Sequence, residues 1–389
     1  MTQTTKTQVT ETQTTGFFEP VPLGCLDLPS CLVMAPLTRN RAATDGTPTP
    51  LMATYYTQRA SAGLIIAEAS TPNAVGQTYP NITAIHTPAH VTGWRRVTDA
   101  VRSAGGRMFL QLQHGGRVGH PATSGHTPVA PSPLPLPETI FTPDGHQPAV
   151  VPRQMTLDDI RSTVADFATA ARNALDAGFE GVEVHSANGH LLHQFLARNT
   201  NRRTDAYGGS VAGRIRFVVE VVRAVAEAIG PDRVGVRISP ANTVNGIQIE
   251  EGDTDAVHLA LIAALGDLGL AYLHIVHADP DAPLFRRIRA QWPGTLIANP
   301  VLPDELSVAT VGHASGRLLA AGADLIALGR PFLANPDLME RLRLGAPLNQ
   351  VRDRYMMYTG GAVGYTDYPA LGDQPSSDSI VALDGPRVV

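Results

Sequence analysis

Eight short apolar runs, each followed by an amphipathic helical pattern, constrain this chain more than any other feature. The runs cover residues 31–35, 64–67, 108–112, 181–185, 234–238, 272–276, 295–298 and 325–328, and are rich in Val, Ile and Leu. Runs of that length and content read as parallel strands buried on both faces. The clearest helical patterns span 157–177 and 211–229. Ile160, Val164, Phe167, Ala168, Ala171 and Leu175 share one face of the first. Val211, Ile215, Val218, Val219, Val222, Val225, Ala226 and Ile229 share one face of the second. Gly178 follows the first pattern as a C-terminal stop. Eight strand–helix units with right-handed crossovers close naturally into a single-domain (β/α)8 barrel, a TIM barrel of the α/β class. An open doubly wound sheet is the alternative, and the unit count favours closure.

The barrel is expected over 17–371. A polar leader with eight threonines occupies 1–16 and reads as disordered, and a polar tail follows from 372 to 389. One segment breaks the alternation. Residues 119–154, after the third strand, hold nine prolines and no helical period. A connection of that length reads as a capping loop over the functional face.

Composition removes several classes. Thirty basic against 35 acidic residues leave a net charge of −5 with no basic run, which argues against a nucleic-acid partner or an anionic membrane surface. The two cysteines, Cys25 and Cys31, are too few for a disulfide framework, a four-Cys zinc site or an iron–sulfur cluster. No run approaches a membrane span and no signal pattern opens the chain, so a cytoplasmic protein is expected.

In a barrel of this kind the active site lies at the C-terminal ends of the strands. That places 36–39, Glu68-Ala69, 111–114, 185–188, Arg237 and Gly329-Arg330 around one mouth. The set is rich in neutral donors and arginines and poor in carboxylates, so a paired-carboxylate hydrolase does not fit. Glu68 and Glu183 fall on different strands with no evident shared role. His185, His190 and His193 invite a metal reading, but Asn188 is a poor zinc ligand and no carboxylate completes the set, so no metal is expected. Gly329-Arg330, just past the eighth strand, suits a phosphate group. No strand-linked dinucleotide fingerprint is present, so a dinucleotide would have to use the same mouth.

With these residues assembled, the chain resembles the Old Yellow Enzyme family of FMN-dependent ene-reductases from Phe17 to about Leu371. The strongest stretch is His193-Gln-Phe-Leu196 through Asn201-Arg-Arg-Thr204-Asp-Ala-Tyr207-Gly208-Gly209-Ser210 to Arg214. Met34-Ala35-Pro36-Leu37-Thr38-Arg39, Gly63 to Ala69, Gln111 to Arg117 and Gly329 to Asp337 are further blocks in the same order. The resemblance implies non-covalent FMN across the strand ends and NADPH or NADH as hydride donor in the same mouth. Pro36, Leu37, Thr38, Ala69 and Gln111 then line the flavin ring, and Thr38 has a catalytic part through a hydrogen bond near the ring's reactive edge. Arg237 lies beside its N1/C2 edge, and Asn299, Gly329 and Arg330 belong to the cofactor site, the last two at the phosphate. His185 and Asn188 match the pair of donors that grip the activating oxygen of the substrate, and Tyr79, Gln113 and Tyr358 complete its pocket. The implied reaction is ping-pong reduction of activated C=C bonds in α,β-unsaturated carbonyl or nitro compounds, by a monomer or homodimer. An isomerase or desaturase on the same fold, or a non-catalytic FMN-binding protein, are the alternatives.

Three positions depart from the family pattern. His190 stands where most members have the Tyr that protonates the α-carbon, and is the candidate acid there, with water as the alternative donor. Gln113 stands where many have a Trp, and Pro300, which lacks an N–H, in the usual phosphate-binding turn.

Overall fold

The computed structural model describes residues 16–373, so the predicted leader, apart from Gly16, and the tail from residue 374 lie outside the described residues. Eight parallel strands form a closed barrel: β1 (Leu32–Met34), β2 (Leu64–Thr71), β3 (Met108–Leu112), β4 (Gly181–Ser186), β5 (Val234–Ile238), β6 (Tyr272–Ala278), β7 (Leu296–Pro300) and β8 (Leu325–Leu328). They pair in chain order, and β1 bonds to both β2 and β8, which excludes the open sheet. The crossovers carry α1 (Pro50–Thr57), α2 (Pro88–Ser103), α3 (Leu157–Asp176), α4 (Val211–Ile229), α5 (Asp253–Leu265), α6 (Pro283–Gln291) and α7 (Val308–Ala320), and α8 (Leu338–Leu344) follows β8. A Thr156–Asp159 capping box starts α3, and Ser210 caps α4, so both predicted helices begin where short polar side chains satisfy free N–H groups. The apolar faces read from sequence pack these two helices against each other and the barrel.

Inside the barrel the two-residue period sorts side chains into layers. At the lower layer the rings of Phe109 (β3) and Tyr272 (β6) meet with centroids 5.8 Å apart. They reach each other across β4 and β5, which supply Gly181 and Gly235 at that level. A Cβ at Gly235 lies within 2.1 Å of the Tyr272 ring, and one at Gly181 within 2.5 Å of Phe109. Two glycines thus make room for two rings. One layer up, Gln111, Glu183, Arg237 and His274 point inward, all buried, while Leu110, Val182, Val236 and Leu273 between the layers pack outward against the helices. A two-stranded hairpin, Val21–Leu23 with Leu26–Leu28, closes the opposite end, where Gly24 abuts the carbonyl of Asp232.

The Pro-rich segment after β3 is more ordered than its composition suggests. It contains a short helix (Pro121–Ser124), a parallel pair (Val129–Ala130 with Arg153–Gln154) and a hairpin (Thr139–Thr142 with Gly145–Pro148). Arg203 holds its base through the carbonyls of Pro131 and Met155. Long-range partners of this kind leave no periodic trace in the segment itself.

The two-glycine layer sets a stability test. Gly235→Ala puts a methyl into the Tyr272 ring, and overpacking of this kind costs about 1–3 kcal/mol. The denaturant midpoint is expected to fall accordingly. An unchanged midpoint would show that the layer has slack.

Candidate active site

A cavity of about 640 Å³ opens at the C-terminal ends of the strands, within the range of small-molecule and cofactor sites. It is lined by Pro36, Leu37, Thr38, Tyr79, Gln111, Gln113, His185, Asn188, His190, Arg237, Asn299 and Tyr358, the greater part of the residues singled out in the sequence. Among the described residues no aspartate or glutamate lines it, whereas Arg39 and Arg237 do. The site therefore favours an anionic occupant.

The Glu183 carboxylate, buried one layer below, fixes the polar atoms above it. Its Oε1 accepts from Gln111 Nε2 at 2.8 Å and its Oε2 from His274 Nδ1 at 2.8 Å. Burial alone would raise its pKa, but the hydrogen bonds from His274 and Gln111 and the charge of Arg237 hold it below the ordinary carboxylate value. Burial also depresses His274 below its ordinary value, so that ring is a neutral Nδ1–H donor. An ionised carboxylate only accepts. Gln111 therefore turns its NH2 toward Glu183, and the same nitrogen lies 3.4 Å from His185 Nδ1. That contact is long, but its direction makes Nδ1 the acceptor and leaves the proton on Nε2. Burial, then the neighbouring His190 and Arg237, drives the His185 pKa well below its ordinary value, so the ring is a neutral N–H donor.

Asn188 stands in the turn after β4 with φ +53°. Its N–H donates to Ser239 Oγ at 2.8 Å, its carbonyl accepts from Asn245 Nδ2 at 2.7 Å and its Oδ1 from Asn242 Nδ2 at 3.0 Å. The next residue is Gly189 at φ +71°, where a Cβ would strike Asn245 at 2.6 Å, so the turn needs glycine for both space and backbone. His190 occupies the N-cap position of the short helix Leu191–Leu196 without a side-chain capping bond, its ring 5.0 Å from that of His185. Both His190 ring nitrogens are buried without a partner among the described residues, and burial lowers its pKa to about 4.

Three of the expected residues do not line the cavity. Ala69 is buried behind it, and Gly329 backs onto the Leu37 side chain. Arg330 reaches the β7 side, bonding Asp304 Oδ1 at 2.9 Å and the carbonyls of Leu302 and Pro303. Asn299 Oδ1 accepts from Arg237 at 3.3 Å while its NH2 is held by the Ala327 carbonyl. Pro300 closes β7, paired with Ala278.

Several lining residues were not legible. Asn242 and Asn245 sit in the Ser239–Gly246 stretch, whose Ser/Asn/Gly content reads only as loop. His277 enters the cavity because a register shift in β6 gives it φ +52°. Phe141 and His146 arrive on the hairpin of the Pro-rich segment, and Tyr355 and Met357 on a short helix, Arg354–Tyr358. That helix is fastened by Arg39 and Arg41. Arg39 donates to the Met357 and Gly364 carbonyls at 2.8 Å each, and Arg41 to those of Met356 and Met357 at 2.7 and 3.0 Å. Tyr55 and Tyr365, stacked at 4.1 Å, lie against the Arg39 guanidinium. Beneath them Glu68, fully buried, accepts from the Arg39 N–H at 3.2 Å and the Tyr56 hydroxyl at 3.1 Å.

A barrel mouth with fixed neutral donors, a buried arginine and, among the described residues, no lining carboxylate fits the flavin-dependent barrel oxidoreductases. Residues 16–349 match the model of the NADH:flavin oxidoreductase / NADH oxidase family, and the chain belongs to that family. It is similar to a probable flavin mononucleotide-dependent alkene reductase of Leishmania infantum, 41% identical over 91% of this chain and 97% of that protein. It is also similar to 12-oxophytodienoate reductase 2 of Arabidopsis thaliana, 38% identical over 92% of this chain and 96% of the relative. Among solved structures, morphinone reductase in complex with tetrahydroNAD superposes with a TM-score of 0.85 at 45% identity, covering 92% of this chain and 99% of that one.

FMN is the cofactor of this family, and the residues present fit it. Arg237 Nε is buried with no partner among the described residues, at the floor of a cavity without carboxylates. Gln111, its NH2 committed to Glu183, has Oε1 left for an N–H of the ligand.

The Glu68 buttress yields a pH test. Burial raises its pKa from 4.5 to about 7, against hydrogen bonds from Arg39 and Tyr56 that act the other way. A carboxyl raised on folding contributes stability that is complete below pH 4.5 and is lost as pH rises through 7. The unfolding free energy of the wild type minus that of Glu68→Gln is expected to fall by about 3 kcal/mol from pH 4.5 to 8, at ~1.4 kcal/mol for each tenfold change in proton affinity. A constant difference would mean that Glu68 is ionised throughout.

Proposed function

We propose that this chain is a cytoplasmic FMN ene-reductase, monomeric or homodimeric, in which His185 and Asn188 grip the activating oxygen of an α,β-unsaturated carbonyl or nitro compound. One observation carries the reading: a neutral imidazole and a primary amide, both held by buried partners, face one cavity that no carboxylate among the described residues lines, from the end of β4. FMN, when bound, relays the hydride that NADPH or NADH gives up to the alkene. Reductant and substrate use one mouth in turn, which makes turnover ping-pong.

The chain's own residues hold and polarise. Arg237 and Gln111 would hold the cofactor's polar edge, and Thr38, Pro36 and Leu37 would line its ring, with Ala69 packed behind. Asn299, Gly329 and Arg330 border the phosphate end, where backbone N–H groups serve because the Arg330 guanidinium already has partners. His185 Nε2–H and Asn188 Nδ2–H donate to the substrate oxygen, and both bonds strengthen as enolate charge develops on it. Tyr79, Gln113 and Tyr358 border the space left for the substrate. His190, beside His185, delivers the proton to the α-carbon where the ring is an imidazolium, and water delivers it where the ring is neutral. With a pKa of about 4 its imidazolium is the minor form at neutrality.

The experiment follows flavin reoxidation by 2-cyclohexenone in a single turnover. His185→Ala is expected to slow it by roughly 10²–10³, the scale of one lost oxyanion donor. In the wild type the rate is expected to fall as pH rises from 4 to 6, because the acid form of His190 is lost above its pKa, and to level off where water supplies the proton. His190→Phe is expected to remove that slope. An undiminished rate in His185→Ala would defeat the donor assignment, and a wild-type profile flat from pH 4 to 9 would defeat that of His190.

A further inference from the structure

We propose that Asn242 is a positioning residue that decides which end of the Asn188 amide meets the substrate; the proposal rests on the reading of Asn188 as an oxygen-gripping donor. An amide presents a donor on one side and an acceptor on the other, and only the donor stabilises a developing enolate. Asn188 has little other freedom, because its backbone N–H is tied to Ser239 and its carbonyl to Asn245. What remains is the choice between two amide orientations related by a half-turn.

A backbone N–H makes that choice. The peptide nitrogen of Val244 lies 2.9 Å from the side chain of Asn242 and can only donate, so the atom it meets is Oδ1. The other end of Asn242 is therefore the NH2, and it lies 3.0 Å from the Asn188 side chain. An NH2 there requires an acceptor, so Asn188 turns Oδ1 toward Asn242. Its own Nδ2, with no hydrogen-bond partner among the described residues, is left to the cavity that both residues line. The reverse orientation sets two N–H groups against each other and points lone pairs at the substrate oxygen. The order Val244, Asn242, Asn188 is a relay of hydrogen-bond polarity with the peptide bond as its fixed end.

Asn242→Asp tests this with almost no change of shape. One aspartate oxygen still accepts from Val244 and the other accepts from Asn188, which turns the Asn188 Nδ2 away from the substrate. Asn188→Gly removes the amide while suiting the left-handed backbone at φ +53°. The FMN-loaded, reduced enzyme is mixed with 2-cyclohexenone in single turnovers for the wild type, both single variants and the double variant. Asn242→Asp is expected to slow the saturating rate about as much as Asn188→Gly, by ~10²-fold, with a smaller effect on half-saturation. The double variant is expected to be no slower than Asn188→Gly alone.

Equal slowing by Asn242→Asp with and without the Asn188 side chain would overturn the proposal, since charge or fold would then be the cause. So would a wild-type rate in Asn242→Asp while Asn188→Gly is slow, and in that case the donor reading stands. A wild-type rate in Asn188→Gly defeats the donor reading and the proposal together. If Asn242→Asp fails to retain FMN, Asn242→Ala replaces it in the cycle. Its partial loss of rate is expected to vanish in the Asn188→Gly background, and persistence there would overturn the proposal.

Discussion

A carboxylate that cannot donate governs the polar interior of this barrel. Glu183 is wholly enclosed, and an ion in that position survives only if its lone pairs are met. Gln111 and His274 meet them, and Arg237 supplies the opposing charge. Because the acceptor is fixed, so are the donors. Gln111 has one possible orientation, and through it His185 has one favoured tautomer. The same logic recurs at Asn188, where a peptide N–H replaces the carboxylate as the group with no choice. Burial keeps the imidazoles of His185, His190 and His274 neutral, so these rings act through proton placement more than through charge.

The eight-strand barrel was legible because buried parallel strands and amphipathic helices leave periodic patterns, and residues 108–112, 234–238 and 325–328 are strands over those same bounds. The residues at the ends of β3, β4 and β5 were legible because strand ends converge in a barrel. The role of Glu183 was not, since its partners His274 and Gln111 lie on other strands, 91 and 72 residues away. Loop residues such as Asn242 and Asn245 were hidden for a different reason. Asn in a loop is ordinary turn chemistry, and only the packing of two loops reveals what its amide touches. The ordered hairpin of the Pro-rich segment escaped for want of any period to read.

The stretch from His193 to Arg214, which carried the family resemblance most strongly, lies almost wholly outside the cavity. Its side chains brace the site. Gln194 bonds Gly115, Gly189 and the N–H of Arg117, locking the turns after β3 and β4 together. Asn201 ties Phe195 to Tyr207, and Arg214 joins the Leu196 carbonyl to Asp253 with contacts of 2.5 to 2.9 Å. The longest recognisable motif is therefore a structural one, and it positions the donors of β4 by holding the turns on either side.

The central claim is that this barrel mouth holds FMN and passes hydride through it. An anaerobic absorbance titration tests that most directly. Purified protein, reconstituted with FMN where needed, is expected to retain a flavin spectrum through gel filtration, to bleach on addition of NADPH or NADH, and to regain its colour stoichiometrically with 2-cyclohexenone. Protein that takes up no FMN, or holds flavin that neither reductant bleaches, would contradict the account.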